Sequence, residues 1–118
     1  MEKKDNVIEL KSYNFALRVI KLYLFMTKEK KEYELSRQLL RCGTSIGANI
    51  EEALGGQSKK DFIAKMSIAS KEARETKYWL RLLDKSKLVD LEFQPFLNSI
   101  EHISNILTKI VKTAQQSI

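Results

Sequence analysis

The residues of this chain that could do chemistry are few: a carboxylate pair at Glu72 and Glu75, one thiol at Cys42 and one imidazole at His102. A dimetal carboxylate site in a helical bundle wants Glu-x-x-His on two helices and two further glutamates. The residue three before His102 is Ser99, and no histidine accompanies Glu72 and Glu75. A di-iron centre is therefore not expected, and His102 reads as a surface or half-buried residue beside an apolar stripe. Cys42 falls on an apolar line, where a thiol behaves as a small hydrophobe of raised pKa and low reactivity. The run Gly55–Lys60, GGQSKK, lacks the spacing of a P-loop and follows a helix rather than a strand. It offers Lys59 and Lys60 beside a helix start, a weak anion site at best. No catalytic residue, metal ligand or cofactor is expected, and the chain reads as a non-enzyme.

Two constellations remain. The first is a polar strip, Gln38, Arg41, Ser45, Asn49 and Glu52, beside the apolar seam of one helix. Asn49 falls on the seam itself, where an unpartnered amide costs on the order of 1–3 kcal/mol, so a hydrogen bond is expected there. On the following helix Glu72 projects into the apolar arc between Trp79 and Leu83 and needs a partner. Arg41 is the first candidate and Asn49 the second. With Glu75, these residues form either a recognition pocket or a structural network that fixes register or a subunit contact; the structural network is the reading favoured. The second constellation is a line of cations, Lys60, Lys71, Arg74, Lys77, Arg81 and Lys85, within about a third of one helix circumference at ~100° per residue. Such a line suits a phosphate backbone. It is also what the solvated face of an outer helix looks like. Only Tyr78 is interleaved as an aromatic, which argues against a single-strand stacking platform.

The elements that must position these residues follow from apolar spacing. Met1–Lys11 has no clear period and reads as a loose arm, with Val7, Ile8 and Leu10 tacked onto the bundle. Ser12 reads as an N-cap, and Phe15, Val19, Leu22 and Met26 make one helical stripe widened by Ala16, Ile20 and Tyr23. The KEKKE run at Lys28–Glu32 ends that helix. Leu35, Leu39, Cys42, Ile46, Asn49 and Ala53 keep the three-four spacing of a bundle seam. Gly43 and Gly47 lie on its flank; at about 1 kcal/mol each relative to Ala, two interior glycines ask for a close neighbour. Gly55-Gly56 is expected to supply a left-handed C-cap, and Ser58 with Asp61 opens the next helix. Phe62, Met66, Ala69, Ala73, Thr76, Leu80 and Leu83 form its stripe, with Ile68 and Trp79 to one side as a second apolar surface for the fourth helix or another subunit. Asp90 is a candidate N-cap, and Pro95 must lie in the first turn of a last helix built on Phe96, Ile100, Ile103, Leu107, Ile110 and Ala114. Gln115–Ile118 is expected to fray.

The expected architecture is one all-α domain over residues 1–118, an antiparallel up-down-up-down four-helix bundle with helices near 12–30, 33–54, 59–85 and 91–115. One Pro and four Gly in 118 residues, with 43% hydrophobic and 31% charged, agree with long helices. The apolar run Val19–Met26 contains Lys21 and is too short to span a bilayer. The opening MEKKDNVIEL has acidic residues where a signal peptide needs an apolar core, so a cytoplasmic protein is expected. The formal charge of +6 permits an acidic partner without demanding one.

The segment QLLRCGTSIGANIEEA followed by QSKKDFIAKMSIASKEARETKYWLRLL resembles the four-helix-bundle proteins encoded in bacterial 23S rRNA intervening sequences. The resemblance is carried by Q-x-x-R at Gln38 and Arg41 and by S-I-x-A-N-I-x-E at Ser45, Ile46, Asn49, Ile50 and Glu52. Asp61 and Phe62 begin the next helix, and Glu72, Glu75 and Trp79 fall in E-x-x-E-x-x-x-W-L. Ala53 stands where Gly is commoner. The resemblance covers the second and third helices; the first and fourth match only in length and pattern. It implies an up-down bundle, a homopentameric ring and no catalytic residues. It further implies kinship with accessory variability proteins of diversity-generating retroelements, in which a basic pentamer works with a reverse transcriptase and nucleic acid. The family's ribosomal label reflects gene location. The expected function is thus a non-enzymatic oligomer that binds RNA or DNA, or a ribonucleoprotein partner, through its basic surface. The alternative is a protein–protein scaffold with no nucleic-acid role, working through apolar flanks such as Ile68 and Trp79. No membrane partner is expected.

Overall fold

The computed structural model describes residues 3–117, which form four α-helices and no strand: α1 (Lys3–Lys28), α2 (Glu34–Leu54), α3 (Lys59–Ser86) and α4 (Gln94–Gln116). Each helix packs on two others. α1 lies against α2 and α4, and α3 against α2 and α4; α1 and α3 stand across the bundle from each other, as do α2 and α4, with no Cα atoms within 8 Å among the described residues. One apolar cluster runs through all four, from Ile8, Phe15 and Val19 on α1 to Ile100, Leu107 and Ile110 on α4.

The largest departure from the sequence expectation is at the start. Residues from Lys3 onward are helical, not a loose arm, and Ser12 lies inside α1 rather than capping it. Its hydroxyl donates to Glu9 O at 3.0 Å, and its side chain is buried. The reason is that Ile8 and Ser12 continue the inward line of Phe15, Val19, Leu22 and Met26 at four-three-four spacing, and Ile8 is wholly buried. Ile20, expected to widen that line, points outward and is 40% exposed. Met1, Glu2 and Ile118 lie outside the described residues.

α1 ends at Lys28, and the connection turns at Lys31, whose φ is 57°. Glu32 then serves the bare amides of α2: its carboxylate accepts from Glu34 N, Leu35 N and Ser36 N at 3.1, 2.9 and 2.8 Å. A carboxylate there satisfies orphan donors and complements the helix dipole. The α2 seam runs Leu39, Cys42, Ile46, Ile50 and Ala53, all buried. It passes through Ile50 and not Asn49, because a 3.6-residue period drifts off the strict three-four line by that point.

The two interior glycines of α2 meet α1. A Cβ on Gly43 would lie 3.1 Å from both γ-methyls of Val19, and one on Gly47 would lie 3.4 Å from Ser12 Oγ. The α2 end also differs from expectation: Gly55 has φ −90°, and neither it nor Gly56 is left-handed. Gly56 is needed for space, since a Cβ there would come within 3.1 Å of Ala53 O. Ser58 caps α3 as expected, accepting from Asp61 N at 3.0 Å. α3 ends on Lys87 in the left-handed region.

Asp90 does not cap α4. The chain reaches α4 through buried Val89 and Phe93, Phe93 takes the cap position, and Glu92 accepts from Gln94 N at 3.1 Å. Pro95 sits in the first turn. Gln115 and Gln116 remain helical rather than frayed, and Lys59 Nζ donates to Ser117 Oγ at 3.0 Å. α1 and α4 are tied by Arg18, which donates to Ser99 Oγ at 2.7 Å and stacks 4.7 Å over the Phe96 ring.

The Gly43–Val19 contact predicts a compensating pair. Val19→Ala should cost about 1–3 kcal/mol by loss of buried methyls. Adding Gly43→Ala should recover roughly 1 kcal/mol, since the new methyl enters the vacated space and Ala favours helix. Urea unfolding of the two single variants and the double variant measures this coupling.

Candidate functional site

The polar strip of α2 divides. Arg41 reaches across to α3, where its Nη2 pairs closely with Glu75 and its Nη1 lies 3.6 Å from Glu72 Oε2. Trp79 Nε1 also donates to Glu75, at 3.1 Å. Glu72 Oε2 is buried and accepts no hydrogen bond among the described residues. At 3.6 Å the guanidinium offsets its charge without a true hydrogen bond. Glu52 pairs instead with Lys65 at 3.0 Å. Asn49 does not join Glu72: its amide donates to Ser45 O one turn back, at 2.9 Å. Gln38 is exposed. With Glu72 and Glu75 counted, six of the seven residues are thus resolved into two separate ion-pair clusters and one helical back-bond, and Gln38 alone stands apart. Arg41, Glu72, Glu75 and Trp79 form a clamp across the α2–α3 pair.

Cys42 is buried on the seam, with Sγ 3.7 Å from Leu39 O. Burial pushes its thiol pKa up, ahead of the opposing effect of Thr76. His102 is exposed on the rim of a cleft of about 220 Å³ between α1 and α4, beside Lys11, Asn14 and Arg18. No group of three or more His, Cys, Asp or Glu capable of holding a metal occurs among the described residues.

The cations of α3 lie outside the core, and the structure adds what a single helix could not display. Arg74 lines a cleft of about 260 Å³ with Ser67 and Ser70 of its own helix and Thr108 and Lys112 of α4. Arg81 and Lys85 line a second cleft, about 340 Å³, with Asp84, Gln94 and Asn98. Lys77 lines the same second cleft and pairs there with Glu101 of α4 at 2.5 Å. Lys60 and Lys71 are exposed and line neither cleft. The later part of the cationic line, Arg74 to Lys85, is therefore one wall of an α3–α4 groove. Sequence reading missed Thr108 and Lys112; the signal available was their four-residue spacing on one side of α4.

Two outcomes follow from this geometry. Arg41→Met should destabilise by about 1–2 kcal/mol, because it leaves the Glu72 carboxylate buried without its cation. Glu72→Gln in that background should recover most of the loss in chemical denaturation, as a neutral amide needs no counter-charge. Cys42 should resist iodoacetamide in the native protein at pH 8 and react readily in urea. The sign follows from the raised pKa: below the ordinary thiol range both states hold the proton. As pH rises through it the unfolded chain releases a proton the fold retains, so stability falls.

Comparison with known proteins gives a consistent picture. Residues 4–109 match the family model described as 23S rRNA-intervening sequence protein. The fold is similar to the crystal structure of a protein of unknown function from the S23 ribosomal protein family of Bacteroides thetaiotaomicron VPI-5482. The TM-score is 0.88 with 48% sequence identity, over 92% of this chain and 98% of that one. No curated protein matches the sequence.

Proposed function

Since this chain belongs to the 23S rRNA-intervening sequence protein family, we propose that it is a non-enzymatic, cytoplasmic up-down-up-down bundle that associates with copies of itself and binds nucleic acid through the α3–α4 groove. The up-down path is supported by the order of contacts. Arg41 meets Glu75 while Glu52 meets Lys65, Val19 lies at Gly43 while Ser12 lies at Gly47, and Lys77 meets Glu101 while Lys59 meets Ser117. A homopentameric ring is the assembly implied by the sequence resemblance.

The observation that carries the nucleic-acid reading is the convergence of Arg74, Ser67, Ser70, Thr108 and Lys112 on one groove. Guanidinium, ammonium and hydroxyl donors are the groups that contact phosphate oxygens without reading bases. Glu101 and Asp84 lower the local charge, so a single groove is a weak site, and repetition in an oligomer would raise the affinity through effective concentration. The non-enzymatic reading is supported by the engagement of Glu72 and Glu75 with Arg41 and by the burial of Cys42. A protein–protein scaffold is the second reading, favoured by the exposure of Ile68, Tyr78 and Leu82 on α3.

Binding to fluorescent single-stranded RNA, single-stranded DNA and duplex DNA should be measured by anisotropy at 50 and 200 mM salt. For about three phosphate contacts, a slope near −0.9 per contact predicts roughly a fortyfold loss over that range. Arg74→Glu with Arg81→Glu should weaken low-salt binding at least about tenfold and flatten the salt dependence. Affinity unchanged by both substitutions, or no salt-dependent binding by the unaltered protein, would move the assignment to the scaffold.

A further inference from the structure

The cleft between α1 and α4 brings hydrogen-bond donors from two helices together over an apolar floor. Lys11, Asn14 and Arg18 line it from α1, and Ser99 and His102 line it from α4. Positions 11, 14 and 18 follow at three-four spacing, and 99 and 102 are one turn apart, so each set occupies one side of its helix. The floor is formed by the buried Phe15 and Ile103. No carboxylate lines this cleft among the described residues. The groove between α1 and α2, by contrast, contains Glu9 and Glu51, and the Arg81 cleft contains Asp84 and Glu101.

Arg18 is the fixed member of the set. It is half-buried, and its Nη1 donates to Ser99 Oγ at 2.7 Å. Its guanidinium lies 4.7 Å from the centre of the Phe96 ring and 6.0 Å from that of Phe15. The rings compensate part of the hydration it has lost. Neither Arg18 nor Lys11 forms an ion pair among the described residues. A half-buried cation without a counter-charge is an incomplete pair. One hydrogen bond to Ser99 also leaves the rest of the N–H fork unused, and a fork held in place binds an oxyanion at little ordering cost.

Charge and size narrow the ligand. Lys11 and Arg18 supply two positive charges, and Asn14, Ser99 and His102 can each donate a hydrogen bond. A phosphate monoester carries about −1.5 to −2 and three acceptor oxygens, which matches both counts. A carboxylate offers a single charge on two oxygens, and the phosphodiester of a nucleic-acid backbone also carries a single charge. The cleft volume of about 220 Å³ is below the ~300–1,000 Å³ of cavities that enclose drug-sized ligands, so one compact group fits and any remainder projects outward.

We propose that the α1–α4 cleft is a binding site for a phosphate monoester dianion. Arg18 is the preorganised fork and Lys11 the second charge. The Ser99 hydroxyl accepts from Arg18 and keeps its own proton to donate to the ligand. The site shares no residue with the α3–α4 groove, so it stands or falls separately from the nucleic-acid reading.

His102 is the sole histidine of the chain, so its ring-proton resonances report on this cleft directly. Proton NMR at fixed pH and ionic strength should follow them during addition of sodium phosphate, AMP, adenosine, acetate and dimethyl phosphate, with calorimetry supplying the affinities. Phosphate and AMP should shift the resonances saturably, and the other three should bind at least about tenfold more weakly. Arg18→Lys keeps the charge but not the fork and should weaken phosphate binding at least about fivefold. Lys11→Met, on the exposed rim and away from the Phe96 stack, should weaken it at least about threefold with helicity and melting unchanged. Arg74→Glu with Arg81→Glu should leave it intact. Equal affinity for phosphate and AMP supports the site with free phosphate as its source. A gain of about tenfold or more for AMP supports it with a nucleotide as the source. An unshifted His102 resonance, phosphate affinity unchanged in both Arg18→Lys and Lys11→Met, or acetate bound as tightly as phosphate overturns the proposal.

Discussion

The close approach of α1 to α2 sets the geometry of this molecule. Val19 occupies the space that a side chain at position 43 would need, and Ser12 does the same at Gly47. Interior glycines weaken a helix by about 1 kcal/mol each, so two of them in α2 mark a contact whose packing offsets that cost. Drawing α1 in along Ile8, Ser12, Phe15 and Val19 fixes its rotation. Once the rotation is fixed, Leu10, Tyr13, Leu17, Ile20 and Leu24 have no route to the core, and a second apolar face is left outside.

The α2–α3 pair is organised by a different force. Arg41 holds Glu72 and Glu75 against a half-buried Trp79, and the chain thereby uses in one clamp the carboxylates that would otherwise be candidates for acid–base or metal chemistry. Enclosing a carboxylate as far as Glu72 is costly unless a cation stands beside it, and Arg41 supplies that cation. The clamp also locks the register of the two helices midway along their length, while Glu52–Lys65 does so nearer the turn.

α1 and α3 sit on opposite sides of the bundle, and their outer faces have opposite character. One is an apolar seam; the other is a cationic wall that α4 completes with Thr108 and Lys112. Lys77 shows how the groove is kept from being uniformly basic: its ion pair with Glu101 joins the two walls.

Local chemistry determined much of this. The stripes of α3 and α4, the Ser58 cap, the first-turn Pro95, the buried Cys42 and the need of Glu72 for Arg41 all follow from spacing and from the cost of burying polar groups. The family resemblance was legible in the α2 and α3 segments. Tertiary structure decided what spacing alone leaves degenerate. In α1 the line Phe15, Val19, Leu22 and Met26 was legible from spacing, but its continuation through Ser12 and Ile8 was not, so the helix begins nine residues earlier than expected, and Ile20, read as widening that line, faces solvent. Asn49 and Ile50 are adjacent candidates for one seam, and the drift of the helical period chose Ile50. The α3–α4 groove is a property of two helices side by side, and residues 38 positions apart, such as Arg74 and Lys112, become neighbours only when the core brings their helices together.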